Sequence, residues 1–148
     1  MSWRLTVAAV IEREGRYLLV EEMDKAGRGR VLNQPAGHVE PGEDILDAVI
    51  REAFEETGLA FTPTGLLGIY PLLSAEGRDF LRIAFVGTVP PEALPVPQDP
   101  DILACHWVDP STLDTLPVRS SLVATCIRDA MTGRCLPLAS VAGIVRER

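Results

Sequence analysis

The amino-acid sequence predicts an α/β protein, an α/β/α sandwich in which a mixed β-sheet lies between helical layers. Two observations support this class. Apolar runs typical of strands stand on both sides of one amphipathic helix, and a second amphipathic helix follows near the C-terminus. The chain has 148 residues, 47% of them hydrophobic, which suffices for one core but not comfortably for two. We therefore expect a single domain over residues 1–148.

The strands before the first helix begin as a hairpin. Residues 5–11 and 16–20 are apolar-rich runs that are separated by a short polar turn with a glycine. A polar, glycine-containing loop at residues 24–30 then leads to a short strand near residues 31–34.

The region after the first helix returns to strands and ends with a helix. Five prolines in residues 90–100 are too many for a sheet interior, so this segment is interpreted as an ordered connection. Apolar residues recur at helical spacing between Ser120 and Gly133, which predicts the second helix. Strands are predicted at residues 65–73 and 80–89, around a turn at Glu76 and Gly77, and at residues 102–108.

Three carboxylates of the first helix point to a bound cation. On a helix that turns by about 100° per residue, Glu52, Glu55 and Glu56 share one arc of the surface. They fall in the last turns, where the negative end of the helix macrodipole disfavours acidic side chains, and like charges at this spacing repel. A cation that neutralises them is therefore expected. Clustered carboxylates bind hard cations, which indicates Mg²⁺ or Mn²⁺.

The remainder of this helix supports its place in the fold. Its opposite face is apolar and is expected to pack on a core. Asp44 is predicted to cap the N-terminus, and Gly58 to supply the left-handed residue that ends the helix. Glu56 lies at the edge of the apolar face, so we expect it to be partly buried and to need a ligand or hydrogen bond there.

Residues 37–59 resemble the loop and helix signature of the Nudix hydrolases. The stretch reads GHVEPGEDILDAVIREAFEETGL and meets every fixed position of Gly-x5-Glu-x7-Arg-Glu-apolar-x-Glu-Glu-x-Gly-apolar. Seven fixed residue types within 23 positions are very unlikely by chance. The resemblance implies water attack on phosphorus in a nucleoside diphosphate linked to another group, with divalent metals held on the helix.

The same resemblance implies a role for each signature residue. Glu52 would be a metal ligand or the general base, and Arg51 would orient the glutamates through charge-assisted hydrogen bonds. The implied catalytic residues are Arg51, Glu52 and Glu55. The implied metal-site residues are Glu52, Glu55 and Glu56, Gly37 through its carbonyl, and Glu43 as an outer or water-mediated ligand.

A narrower resemblance covers nearly the whole chain. The runs LTVAAVIEREGRYLLVEE, NQPAGH, DPDILACHWV and RSSLVATCIRDAMTGRCLPL are similar to the NudJ-type nucleoside di- and triphosphatases. This subfamily is associated with phosphate release from nucleotides and from the pyrophosphate ester of the thiamin pyrimidine. Leu32 departs from the aromatic residue of that group, which argues against base stacking at this position and predicts loose base discrimination.

Several basic residues outside the signature are candidates for substrate binding. Lys25, Arg28 and Arg30 precede the short strand into the signature and could reach substrate phosphates, although a solvated loop explains them equally well. Arg82 stands in an otherwise apolar strand, which favours a phosphate or carboxylate partner.

Acidic and histidine candidates complete the set. Asp99 and Asp101 precede a strand, where some Nudix enzymes supply an acidic residue to the metals or the attacking water, and turn chemistry beside Pro100 is the alternative. His38 adjoins Gly37 and could contact substrate. His106 is interpreted as a strand residue with a satisfied ring, since no zinc-type spacing is present.

Composition limits the class of partner. The net charge of -7 argues against binding to a nucleic acid polymer, whereas a small nucleotide remains compatible because local arginines and metal ions offset the negative field. No apolar run of about 18 residues or signal-peptide layout is present, so we expect a cytoplasmic protein without a membrane partner. Three cysteines without a C-x-x-C pair indicate neither disulfides nor zinc. The sequence leaves the oligomeric state open.

The hypothesis with most support is a metal-dependent hydrolase of nucleoside di- or triphosphates or related pyrophosphate esters. The first alternative is a catalytically silent Nudix module that binds a nucleotide as a sensor, but such a module is expected to lose some of the glutamates, and all are present. The second alternative, an RNA-end pyrophosphohydrolase, is disfavoured by the acidic charge.

Overall fold

The computed structural model describes residues 2–75 and 77–148 of the chain. Along it follow β1 (Trp3–Arg13), β2 (Arg16–Met23), β3 (Arg30–Asn33), β4 (Ala36–His38), α1 (Ile45–Thr57), β5 (Thr62–Leu73), β6 (Asp79–Thr88), β7 (Ile102–Val108) and α2 (Leu122–Met131). Short 3₁₀ helices at Pro110–Thr115 and Leu138–Ser140 follow β7 and α2. The predicted order of strands and helices is confirmed. The turn predicted between β5 and β6 includes Glu76, which lies outside the described residues.

Strand β1 connects two groups of strands. Its first part runs parallel to β6 and antiparallel to β4, and β5 continues antiparallel to β6. Its last residues pair with β2, which is flanked by β3 and β7, both antiparallel to it. The sheet is therefore mixed, as predicted.

The loop predicted to begin at Gly37 begins instead with an edge strand. Gly37 pairs with Val7 and His38 pairs with Thr6, so β4 belongs to the sheet before the chain turns into α1. A three-residue strand with a glycine at its centre carries too little apolar pattern for sequence analysis to identify it.

Alternation along β1 fills a core on each face of the sheet. Val7, Ala9 and Ile11 pack with the buried face of α1, whereas Ala8 and Val10 pack with that of α2. The sandwich of helices around a mixed sheet is confirmed. No helix in the described part of the chain has the length and apolarity needed to cross a bilayer. The three cysteines are free thiols, as expected.

The proline-rich connection caps the C-terminal end of α1. Gly58 adopts the left-handed conformation (φ of 70°) and its N–H bonds to the carbonyl of Phe54, as predicted for the residue that ends the helix. The following connection then satisfies the last carbonyls, since the N–H of Val96 bonds to Thr57 at 2.7 Å and that of Asp99 to Glu55 at 2.8 Å. This ordered connection brings Asp99 to the end of the signature helix.

The N-terminal cap of α1 differs from the prediction. Asp44 occupies the cap position, but its side chain makes no capping hydrogen bond to its own helix. Its Oδ1 instead accepts the N–H of Ile144 at 2.8 Å, so the C-terminal segment uses the oxygen that would have capped the helix. The capping prediction was wrong because this contact joins residues 100 positions apart.

Gly58→Ala is expected to destabilise the protein more than an ordinary left-handed glycine replacement. A Cβ at Gly58 would overlap the carbonyl oxygen of Val96, in addition to the strain of a positive φ. Gly133→Ala is the matched control, because its φ is 85° but its Cβ would meet nothing within 4 Å. Urea unfolding should show a loss of about 1 kcal/mol for the control and about 1–3 kcal/mol more for Gly58→Ala. Equal losses would contradict the packing of the connection on α1.

Candidate active site

Arg51 is the centre of the carboxylate cluster on α1. Its Nε and Nη2 donate to the two carboxylate oxygens of Glu43 at 2.7 and 2.9 Å. Its Nη1 donates to Glu52 at 2.9 Å and to Glu55 at 3.2 Å, and Nη2 also reaches the carbonyl of His38 at 3.1 Å. One guanidinium thus bonds to three signature glutamates and to the end of β4, and these are the contacts that the implied orienting role requires.

The hydrogen bonds between Glu43 and Arg51 shift the pKa of both groups in favour of their charged forms. Hydrogen bonds from Arg51 lower the pKa of Glu43 to about 2, and the N–H of Glu40 donates a further bond to the Glu43 carboxylate at 3.0 Å. The carboxylate of Glu43 in turn raises the pKa of Arg51. Both oxygens of Glu43 bond to Arg51, so Glu43 contacts the other signature glutamates through this guanidinium.

Glu52 lies against the backbone of β4. A Cβ at Gly37 would overlap the Glu52 carboxylate, which explains why the signature begins with a residue that has no side chain. The Glu52 side chain is 13% exposed, and burial raises its pKa although Arg51 opposes that shift.

Glu56 is the most buried acid of the helix. It is 7% exposed, and its Oε1 accepts the N–H of Ala36 at 2.9 Å. Burial raises the pKa of Glu56 to about 8, and the negative charges of Glu22, Glu52 and Asp99 act in the same direction. The sequence predicted partial burial, and the structure shows that this carboxylate is almost completely enclosed.

The glutamates share one arc of α1 but turn to different partners. Glu52 and Glu55 face Arg51, while Glu56 faces Ala36. Within residues 2–75 and 77–148, no three His, Cys, Asp or Glu side chains are already arranged to hold one metal ion. Their chemistry nevertheless fits a hard divalent cation, because oxygen donors and uncompensated negative charge gather around a buried carboxylate.

Of the two aspartates before β7, the structure brings one to the site. Asp99 is close enough to Glu56 to raise its pKa, and its backbone N–H bonds to the carbonyl of Glu55 at 2.8 Å. Asp101 is exposed and donates its N–H to Asp99 Oδ1 at 2.8 Å, which is turn chemistry.

The basic loop before β3 has a different role for each residue. Arg28 bonds to the carboxylate of Asp24, and its Nη2 donates to the carbonyl of Arg119 at 2.7 Å, so it braces the backbone of a distant segment. Arg30 pairs with Glu21 at 2.9 Å and its side chain is 67% exposed. Burial lowers the pKa of His38, and the positive charges of Arg4 and Lys25 act in the same direction.

Arg82 is buried without the charged partner that the sequence favoured. It is 7% exposed and donates to the side-chain oxygens of Gln34 at 2.9 Å and Asn33 at 3.1 Å. Among the described residues it makes no ion pair, and burial lowers its pKa. Within the described chain, a carboxylate partner is absent because the side-chain amides of Asn33, at the end of β3, and Gln34, directly after it, accept these hydrogen bonds. A phosphate partner stays a prediction. His106 bonds to Glu21 at 2.7 Å, so its ring is satisfied as expected.

Arg119 and Glu22 also lie near the carboxylates, although no sequence pattern predicted them. The N–H of Arg119 bonds to the carbonyl of Leu32 at 2.9 Å, which aligns its segment with the outer edge of β3. The guanidinium of Arg119 donates to Glu22 at 2.8 Å. The negative charge of Glu22 in turn helps to raise the pKa of Glu56. No local motif marks either residue, because their proximity arises only from strand pairing.

Leu32 does not present a surface on which a base could stack. Its side chain is 7% exposed and packs in the core on the α2 side. The absence of base stacking on Leu32 therefore agrees with the structure, and loose base discrimination stays a prediction.

Glu56→Gln is expected to stabilise the metal-free protein at high pH. With a folded pKa near 8 and an ordinary value of 4.5, wild type binds an extra proton in the folded state between these values, so it loses stability as pH rises from about 4.5 to 8. Glutamine removes this loss, so the variant should gain at least about 1 kcal/mol relative to wild type between pH 5 and pH 9. Urea unfolding in excess chelator measures it.

Glu55→Gln is the control for this measurement, since the Glu55 side chain is 45% exposed. Its stability relative to wild type should stay nearly constant over the same pH range. A Glu56→Gln difference that is equally independent of pH would show that Glu56 is not desolvated.

Comparisons with known proteins agree with this geometry. A family model for the NUDIX domain matches residues 2–125. The chain is 37% identical to the phosphatase NudJ of Escherichia coli K12 over 136 aligned residues. The alignment covers 90% of this chain and 87% of that protein. A NUDIX hydrolase structure from Nitrosomonas europaea is similar with a TM-score of 0.86 and 40% identity, over 95% of this chain and 97% of the other. The NUDIX domain of Shewanella oneidensis NrtR, solved with ADP-ribose, shares the fold with a TM-score of 0.76 and 17% identity, over 90% and 89% of the two chains. The chain therefore belongs to the Nudix hydrolase family.

Proposed function

We propose that the protein hydrolyses nucleoside di- and triphosphates, or related pyrophosphate esters such as that of the thiamin pyrimidine, by metal-dependent attack of water on phosphorus. The observation that carries this proposal is that the glutamates of the signature are not all neutralised by a cationic side chain. Arg51 bonds to Glu43, Glu52 and Glu55, whereas the buried Glu56 has no cationic partner among the described residues. A divalent cation supplies the missing positive charge.

The ligands would come from the helix and from the strand edge beside it. Mg²⁺ or Mn²⁺ would be held by Glu55, Glu56 and the Gly37 carbonyl, with Glu43 as an outer or water-mediated ligand. Glu52 would be a further ligand if it were not the general base. When bound, such an ion neutralises phosphoryl oxygens and lowers the pKa of a coordinated water.

Glu52 is proposed as the general base. Its burial raises its pKa, which brings a carboxylate closer to the range in which it accepts a proton efficiently near neutral pH. Arg51 limits this rise and fixes the orientation of Glu52 through the 2.9 Å hydrogen bond. Glu52 would thus take the proton of the attacking water while its position stays fixed against Gly37.

The relatives support a small phosphorylated substrate. NudJ is named a phosphatase, and the NrtR domain was solved with ADP-ribose, a nucleoside diphosphate linked to a second sugar. The natural substrate is proposed to belong to this chemical class, as a nucleotide or a heterocyclic pyrophosphate ester.

A substrate panel tests the proposal directly. Nucleoside di- and triphosphates, ADP-ribose and the thiamin pyrimidine pyrophosphate are incubated with Mg²⁺ or Mn²⁺, and orthophosphate and pyrophosphate are measured separately. Turnover of at least one compound that stops in excess chelator is expected. Tight metal-dependent binding without turnover of any compound would contradict the proposal and favour a nucleotide sensor.

Arg51→Ala is expected to reduce kcat by about a hundredfold while KM changes little. Loss of the guanidinium releases the three glutamates, and a displacement of about 1 Å at a catalytic group costs about this factor. Arg51→Lys should recover only part of the rate, because an ammonium group cannot make the paired bonds to Glu43. Steady-state kinetics on a substrate from the panel measures both parameters.

Arg128→Ala is the matched control for the Arg51 variants. Arg128 on α2 also pairs with a carboxylate, that of Asp114 in the 3₁₀ helix after β7, at 3.0 Å, but both side chains are largely exposed. The kcat of Arg128→Ala should remain at the wild-type value. Wild-type kcat in Arg51→Ala, with circular dichroism unchanged, would count against the orienting role.

A further inference from the structure

The C-terminal segment runs back from the edge of the sheet to the start of α1. Leu136 pairs with Leu66 of β5, and the N–H of each bonds to the carbonyl of the other at 2.8 Å. Leu138 and Val141 then pack, partly buried, against the core on the α1 side. We call residues 136–148 the strap. Its first half is anchored on β5 and on the core before its second half reaches α1.

The second half of the strap contacts the residues on either side of Glu43. The N–H of Ile144 donates to Asp44 Oδ1 at 2.8 Å, and Nη2 of Arg146 reaches the carbonyl of Gly42 at 3.4 Å. Gly42 precedes Glu43 in the chain and Asp44 follows it. Two contacts from one segment therefore bracket a single signature glutamate.

The position of Glu43 affects the other carboxylates through Arg51. Both oxygens of Glu43 accept hydrogen bonds from Arg51, at 2.7 and 2.9 Å, and the same guanidinium donates to Glu52 and Glu55. A guanidinium is planar, and its donors are fixed relative to one another. A shift of Glu43 therefore turns the donors that reach Glu52 and Glu55. The strap is linked to both glutamates through two successive side chains.

The contact with the strap uses an oxygen that α1 could use itself. Asp44 has the extended backbone of an N-cap residue, with φ of -66° and ψ of 145°, but its side chain makes no capping hydrogen bond. That oxygen bonds to a residue 100 positions away instead. The start of α1 therefore depends on the strap, and loss of the strap allows the Asp44 side chain to turn toward its own helix.

We propose that the strap positions the carboxylate cluster by holding Glu43 from both sides, and that Asp44 is the positioning residue through which it does so. Arg51 transmits this constraint to Glu52 and Glu55. Neither the strap nor Asp44 touches the substrate in this role. The inference rests on the proposed function, because it assigns a support to the glutamates of that site.

Amide hydrogen exchange measures whether the strap holds the loop at residues 39–44. Within this loop the N–H of Glu40 bonds to the Glu43 carboxylate, and the N–H of Glu43 to the Glu40 carbonyl, both at 3.0 Å. Ile144→Pro removes the N–H that bonds to Asp44, whereas Ile144→Ala keeps it and is the matched control. In excess chelator, exchange of the loop should become about tenfold faster in Ile144→Pro, since a hydrogen bond to a charged group shifts an opening equilibrium by about this factor or more. Ile144→Ala should change it by less than about twofold.

Variants of Asp44 test the same contact from its other side. Asp44→Ala should accelerate exchange of the loop as Ile144→Pro does, while Asp44→Asn keeps an acceptor oxygen and should recover most of the protection. The double variant should exchange no faster than the faster single variant, because both changes remove one shared contact. Exchange of β1 should match wild type throughout, which shows that the fold is intact in each variant.

Steady-state kinetics distinguishes a positioning role from a purely structural one. With a substrate of the panel, Ile144→Pro should lower kcat by about tenfold while KM stays within about twofold of wild type, because glutamates that lose their orientation affect the transition state more than substrate binding. A strap that only stabilised the fold would leave kcat per folded molecule unchanged.

The outcomes distinguish this inference from the proposed function. Wild-type exchange of the loop in Ile144→Pro would overturn the inference even if the wild type hydrolyses nucleotides. Faster exchange with wild-type kcat would overturn the positioning role. If the wild type turns over no compound of the panel, the proposed function fails, but the exchange comparison still decides whether the strap holds Glu43, because it requires no turnover.

Discussion

The site depends on the way one guanidinium is shared among acidic side chains. Arg51 bonds to Glu43, Glu52 and Glu55 and is 3.8 Å from Glu40, so its single positive charge is shared among carboxylates that do not include Glu56. Among the residues that the structure describes, the side chain of the buried Glu56 accepts a hydrogen bond only from the N–H of Ala36. This division leaves a desolvated carboxylate without compensation, which is unfavourable unless a cation binds or the group takes a proton.

The fold maintains this arrangement from both ends of the helix. At the C-terminal end, the proline-rich connection bonds to the last carbonyls of α1 and delivers Asp99, which adds negative charge near Glu56. At the N-terminal end, Ile144 bonds to Asp44, and Arg146 reaches the carbonyl of Gly42 at 3.4 Å. Strand β4 supplies the surface in between, where Gly37 leaves space for Glu52. The charged face is therefore fixed by contacts that lie outside the helix itself.

The sequence predicted the parts of the molecule that depend on local pattern. The strands β1, β2 and β7 follow from apolar runs, and the helix α1 follows from its two faces and Gly58. Within the site, the helical spacing of Glu52, Glu55 and Glu56 was sufficient to predict an acidic face. The resemblance to the signature added an orienting role for Arg51, which stays a prediction and is consistent with its hydrogen bonds to Glu52 and Glu55.

Contacts between distant residues could not be predicted in the same way. Arg28 was a candidate for contact with substrate phosphates, with a solvated loop as the equal alternative, and it bonds to the backbone of Arg119, which is 91 positions away in the chain. Arg82 was expected to have an anionic partner, but the side chains of Asn33 and Gln34 satisfy it. Each of these outcomes depends on which strands become neighbours, and a single sequence does not encode strand order in any local pattern.

If a divalent cation replaces the proton of Glu56, metal binding must release that proton into the buffer. Calorimetric titration of Mg²⁺ at pH 7, in buffers of different ionisation enthalpy, counts the protons released per ion. Because burial raises the pKa of Glu56 to about 8, the account predicts release close to one proton at pH 7, little at pH 9, and a large reduction in Glu56→Gln. Binding without proton release at pH 7, or with equal release in Glu56→Gln, would contradict it.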